Sequence, residues 1–211
     1  MKKALVFFLA LAVLTSVCQS QTQAEAEVRS AFERYKDAIL HDRGEEAAGY
    51  LDKTTLEYYG AILNKVKTAD SSEVEKMALM DKIVVFAIRH IATPKEILSF
   101  DARGLVVFAI SKGLVGKNSM VFVTLGDVVV DGNSARVQTI SRGKVSTLYL
   151  QLNKEDGIWK VDITTLFAAA NVAFRTLVDT SGREENEFLF SLLEMMTQVK
   201  PSAAIWNTIS N

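Results

Sequence analysis

The sequence predicts an α+β fold, with helices first, a four-stranded antiparallel meander second and further helices last. Two observations carry this. Apolar residues recur at intervals of three and four between residues 24 and 113, the spacing of one helical face. From Ser119 the period drops to two, and the clusters Asp131-Gly132-Asn133, Arg142-Gly143-Lys144 and Glu155-Asp156-Gly157 cut the alternating region into four runs, which are hairpin signals.

The first helix runs from Ala24 to His41, with Val28, Ala31, Phe32, Tyr35, Ala38 and Ile39 along one face and Gly44 as a left-handed cap. Helices over Glu45–Leu51 and Thr54–Lys67 come next. Ser71 or Ser72 with Glu73 or Glu75 offers a capping signal before one long helix, Glu73–Ile91, stopped by Pro94. The segment KIVVFAIRH has strand-like composition, but helical spacing continues across it. Asp101–Gly113, apolar on most sides, reads as a buried helix. The strands are expected at 119–130, 134–141, 145–153 and 158–164, the first bent at Gly126-Asp127. Helices near Leu166–Val178 and Glu184–Val199 close the chain, the latter ended by Pro201.

The opening MKKALVFFLALAVLTSVCQS has two lysines, an apolar run from Ala4 to Leu14 and a small, polar end, the pattern of a secretory signal over residues 1–20. The run is too short to cross a bilayer. Cys18 is the only cysteine. It is either a lipidation site, although Val17 departs from the usual small residue before it, or is discarded by cleavage after Ser20 or Ala24. The expected location is periplasmic or secreted, with membrane contact only through a lipid on Cys18. Neither route leaves a cysteine pair, so no disulfide supports residues 24–211, read as a single domain with a helical extension over 166–211. Loss of Lys2 and Lys3 lowers the basic count from 24 to 22, against 25 acidic residues. Without a basic block, nucleic acid is not an expected partner.

The runs Asp131-Gly132-Asn133-Ser134-Ala135-Arg136-Val137, Leu148 to Asn153 and Asp156-Gly157-Ile158-Trp159-Lys160-Val161-Asp162 follow an N-terminal amphipathic helix. Together they resemble the NTF2-like superfamily, also called cystatin-like or SnoaL-like, here as an exported bacterial member. The resemblance covers residues 25–51 and 119–165. It implies a curved sheet wrapped around a helix with a cone-shaped cavity between them, and it names no activity. The long helical stretch before the sheet and the helices after Leu166 exceed the minimal pattern, and such helices can fill a cavity.

Strand alternation gives one apolar face, Ala135, Val137, Thr139, Leu148, Leu150, Leu152, Trp159, Val161 and Ile163. The other, with Arg136, Gln138, Tyr149, Lys160 and Asp162, reads as a solvent face. Val137, Leu148, Leu150, Trp159 and Val161, with Tyr58 from a helix, are the candidate lining for a small apolar ligand. This inner face has no acid or base where an isomerase-like member needs one. His41 and His90, the only histidines, lack metal-ligand spacing, and no metal or cofactor is expected. The string from Gly113 to Ser119 fails as a phosphate loop, because Ser111 stands where Gly is required.

The expected function is therefore a non-enzymatic exported protein that binds a small apolar ligand or a protein partner. The alternatives are a small isomerase-like or hydrolase-like enzyme using Glu57, Tyr58 or Asp81, and an envelope assembly protein. The C-terminal residues Phe188, Phe190, Met195, Met196 and Trp206 are candidates for a homodimer or envelope-partner surface.

Overall fold

The structure is a computed structural model that describes residues 22–115 and 117–209. The expected leader and Cys18 lie outside the described residues. Helix α1 spans residues 22–40. It is followed by α2 (Gly44–Gly49), α3 (Lys53–Thr68), α4 (Ser71–Glu75), α5 (Leu79–Ile91), α6 (Pro94–Ser99), α7 (Ala102–Ser111) and α8 (Lys117–Met120). Strands β1 (Val123–Asp131), β2 (Ser134–Ser141), β3 (Lys144–Glu155) and β4 (Ile158–Asp162) then form one antiparallel sheet in sequence order. Helices α9 (Phe167–Ser181) and α10 (Glu185–Thr197) follow, with 3-10 turns at Thr164–Leu166 and Ala203–Trp206. The architecture is α+β, with helices before and after the four strands.

Two apolar clusters organise the chain. In the first, Val28, Phe32, Tyr35 and Ile39 of α1 meet Val137, Leu150, Leu152, Trp159 and Val161 of the sheet. The second joins Ile62 and Val66 of α3, Val85, Phe86 and Ile88 of α5, and Leu189 and Leu193 of α10. Helix α7 is apolar on most sides because it belongs to both: Val106 and Ile110 enter the first cluster, Leu105 and Phe108 the second.

Both edges of the sheet carry contacts from the helical segments. Arg29 of α1 donates to Gly126 O at 2.7 Å and Leu125 O at 3.4 Å, and Lys36 donates to Val123 O at 2.7 Å, so α1 occupies carbonyls on the β1 edge. On the other edge, Val161 N donates to Tyr50 O at 2.7 Å and Asp52 N to Val161 O at 3.1 Å. An unpaired strand edge is a template for further strands, and these contacts occupy part of each.

Several local expectations need correction. The single helix over 73–91 is two helices. Asp70, rather than a serine, caps α4 through a reciprocal pair with Glu73, each bond 2.9 Å. The chain then turns at Lys76-Met77-Ala78, and α5 has no side-chain cap of its own at Ala78; Asn171 of α9 accepts from Met80 N at 2.9 Å. Pro94 does not merely stop a helix but opens α6, where its missing N–H costs nothing and Thr93 with Glu96 makes a capping box. The left-handed residue after α1 is Asp42, at φ 57°, not Gly44. Gly44 is needed for space, since a Cβ there would stand 2.8 Å from Val107 O of α7.

In the sheet, β1 starts at Val123 instead of Ser119, with α8 before it. The register slips between Leu125 and Val128, as Gly126-Asp127 suggested, and again between Gln138 and Ile140, which was not foreseen. That second slip lies where the β2–β3 hairpin runs beyond the first cluster, and Leu148 is 41 % exposed instead of inward and buried. Asp162 is buried, not solvent-facing. Its Oδ1 accepts from Thr164 N at 2.9 Å and Thr164 Oγ1 at 2.6 Å, capping the turn that ends β4.

Candidate functional site

Four of the six residues predicted to line a cavity do come together. Val137, Leu150, Trp159 and Val161 are between 0 and 3 % exposed, and α1 occupies the space in front of them. Leu148 lies outside this group, and Tyr58 belongs to the second cluster. At the rim of the sheet Glu27 accepts from Lys154 Nζ at 2.8 Å and Trp159 Nε1 at 3.3 Å. The Lys154 bond holds the Glu27 carboxyl below its ordinary pKa.

The buried charged side chains among the described residues are Asp52, Lys82, Arg89 and Asp162, and each is held by structural partners. Asp52 caps α3 by accepting from Thr55 N at 2.8 Å, and accepts from Asn153 Nδ2 at 2.9 Å. Arg89 donates to Lys65 O, Val66 O, Ala69 O and Ile205 O at 2.7 to 3.1 Å, so one guanidinium satisfies the carbonyl end of α3 and ties it to the C-terminal turn. Burial lowers its pKa from the ordinary arginine value. Lys82, fully buried, reaches Glu75 at 3.1 Å and Glu185 at 2.8 Å, and its Nζ lies 5.8 Å from the Trp206 ring centroid. Burial works against the charge on Glu185, yet the bonds from Lys82 and Arg175 hold its carboxyl below the ordinary value.

Of the three polar groups named on helices, two meet. Tyr58 donates to Asp81 Oδ1 at 2.6 Å, and Lys65 Nζ stands 3.7 Å from Asp81 Oδ2. Desolvation, then the bond to Asp81, pushes the Tyr58 phenol well above its ordinary pKa, so it holds its proton and serves as a donor. Glu57 is exposed and pairs with Lys53 at 3.6 Å. His41, at the end of α1, lies 2.9 Å from Asp37 O.

A groove of about 430 Å³ opens where three helices end: His90 and Ile91 of α5, Lys112, Gly113 and Leu114 after α7, and Met196, Thr197 and Val199 at the end of α10. Gly113, at φ 69°, turns the chain out of α7. His90 Nε2 lies 3.0 Å from Thr197 Oγ1 and 3.2 Å from Val199 O. A carbonyl only accepts, so the contact to Val199 O calls for a proton on Nε2. Lys112 Nζ stands 5.5 Å from the Phe108 ring centroid. The groove thus sets Lys112 and the His90 imidazole beside Ile91, Leu114, Met196 and Val199.

Sequence spacing gave no sign of this groove, because its residues come from three helix ends far apart in the chain. A signal for the buried pair did exist. Lys82 and Arg89 are seven residues apart, on the same apolar face of α5 as Val85 and Phe86, where an unpaired charge would be costly. Among the described residues no group of three or more His, Cys, Asp or Glu side chains could hold a metal ion, and no helix is long and apolar enough to cross a membrane. No protein-family model, curated protein or solved structure matches the chain.

Proposed function

We propose that the chain is an exported, non-enzymatic binding protein built on an NTF2-like sheet, and that its ligand seat is the groove between the ends of α5, α7 and α10. The ligand is a small molecule with an apolar body and a hydrogen-bonding or anionic head. One observation carries this reading: Lys112 and His90 stand beside Ile91, Leu114, Met196 and Val199 in a groove of about 430 Å³, a volume within the range of small-molecule sites. The role of the buried charges as caps and bridges supports binding over acid-base chemistry, since each is tied to backbone or to a counter-ion.

Native mass spectrometry of the protein taken from its own envelope fraction tests this. The expected spectrum contains a bound small molecule that disappears in Leu114→Arg and Met196→Glu while the melting temperature is kept. A bare chain mass in every preparation would overturn the ligand assignment. The same spectrum reports whether residues 1–20 are removed and whether Cys18 carries lipid.

A further inference from the structure

The β2–β3 hairpin continues past the first cluster. From Ser141 to Tyr149 every residue except Ser146 is exposed, and the last buried side chain of β3 on this side is Leu150. At about 3.3 Å per residue, the strand projects roughly 15 Å beyond that point. The projecting end has an unusual surface. Val145 is 60 % exposed, and Leu148 and Tyr149 are each 41 % exposed. Val121 and Phe122, leading into β1, are half exposed beside them. Arg142 N donates to Phe122 O at 3.2 Å, and the Arg142 guanidinium lies 4.9 Å from the Phe122 ring centroid, so the two segments form one tip.

Up to Glu155, the last residue of β3 at the far end, every charge on this hairpin has the same sign. Residues 132–154 contain Arg136, Arg142, Lys144 and Lys154 and no acidic side chain. Lys154 is engaged with Glu27 at the far end, and Arg136 lies 4.5 Å from the Tyr149 ring centroid on the outer face. The neighbouring α8 brings Lys117, which is paired with Asp42. Arg142 and Lys144 flank the turn and point its charge outward in a chain that is otherwise slightly acidic.

We propose that this tip docks on an anionic lipid surface. Apolar side chains on a projecting turn enter the boundary between headgroups and acyl chains, and the flanking Arg142 and Lys144 meet the negative headgroups. A tyrosine beside them suits the same boundary, with an apolar ring and a polar end. Charge complementarity separates this occupant from a second copy of the chain, since a two-fold contact through the tip would place two pairs of cations against each other. Membrane contact then has a source independent of Cys18.

Vesicle co-sedimentation decides the matter, using the chain from Thr22 onward. Both apolar clusters lie within that stretch, and it lacks the apolar leader, which would bind vesicles by itself. The expected result is association with an equal mixture of phosphatidylcholine and phosphatidylglycerol at low salt, weakened at ~0.5 M salt, and little with phosphatidylcholine alone. Arg142→Ala and Lys144→Ala each reduce partitioning about fivefold. The double variant Val145→Asp with Leu148→Asp abolishes it, whereas Ile158→Asp, at the opposite end of the sheet, leaves it unchanged. Circular dichroism melts confirm that each variant is folded. Absence of binding to the anionic vesicles at low salt, or equal binding by the Val145/Leu148 double variant, would overturn the proposal. So would a dimer in the native mass spectrum that the same double variant dissolves, because the tip would then be covered by its own copy.

Discussion

Arg89 and Lys82 are buried charges that tie the helices of the second cluster together. Arg89 is worth several ordinary hydrogen bonds because its guanidinium donates to four backbone carbonyls, of which Lys65 O also accepts from Ala69 N at 3.0 Å. Arg89→Met is expected to lower stability by about 3 kcal/mol, read as a drop in the urea midpoint, and Arg89→Lys to recover only part, because an ammonium cannot span the same fork. Glu185 gives a pH test. Its folded pKa is depressed below the unfolded value, so its contribution is present above the ordinary glutamate range and is lost as pH falls through the folded pKa. Wild type should therefore exceed Glu185→Gln by about 2 kcal/mol at pH ~6, with the gap closing towards pH ~3, in paired thermal melts.

At the scale of elements, close approach and borrowed caps decide what spacing alone leaves open. Gly44→Ala should cost about 1 to 3 kcal/mol in a thermal melt, because the new methyl meets backbone of α7 that has no rotamer to yield. Gly49→Ala, with open space around its Cβ, is the matching control. Helix existence was readable along most of the chain: α3, α7, α10 and three of the strands lie where apolar period and Gly turns put them. The break between α4 and α5 was not, since the group that caps α5 is Asn171, 91 residues later. A cap borrowed across the fold leaves no local pattern. Leu148 was misplaced for a related reason: alternation assigns a face, but only tertiary structure shows where α1 stops covering it.

The whole molecule is two apolar clusters sharing α7, and the second cluster is finished by the last segment of the chain. Removing residues 183–211 would delete Leu189, Leu193 and Ile205 from that cluster, and with them one counter-ion of Lys82 and one carbonyl of Arg89. The truncated chain should lose solubility and cooperative unfolding, measured by native mass and urea titration. Unchanged behaviour would show these helices to be peripheral. The candidate groove was illegible at this scale because it exists only where three helix ends meet. The Tyr58–Asp81 contact was half legible, both residues having been named without a reason to join them.

The α1 contacts to β1 have a consequence for how the chain is made. Arg29 precedes Leu125 by 96 residues, so the guard of the strand leaves the ribosome long before the strand itself. A chain carried across a membrane unfolded would likewise release α1 ahead of the hairpins. The exposed carbonyls at the start of β1 then meet donors already made, and only its other edge waits, for β2.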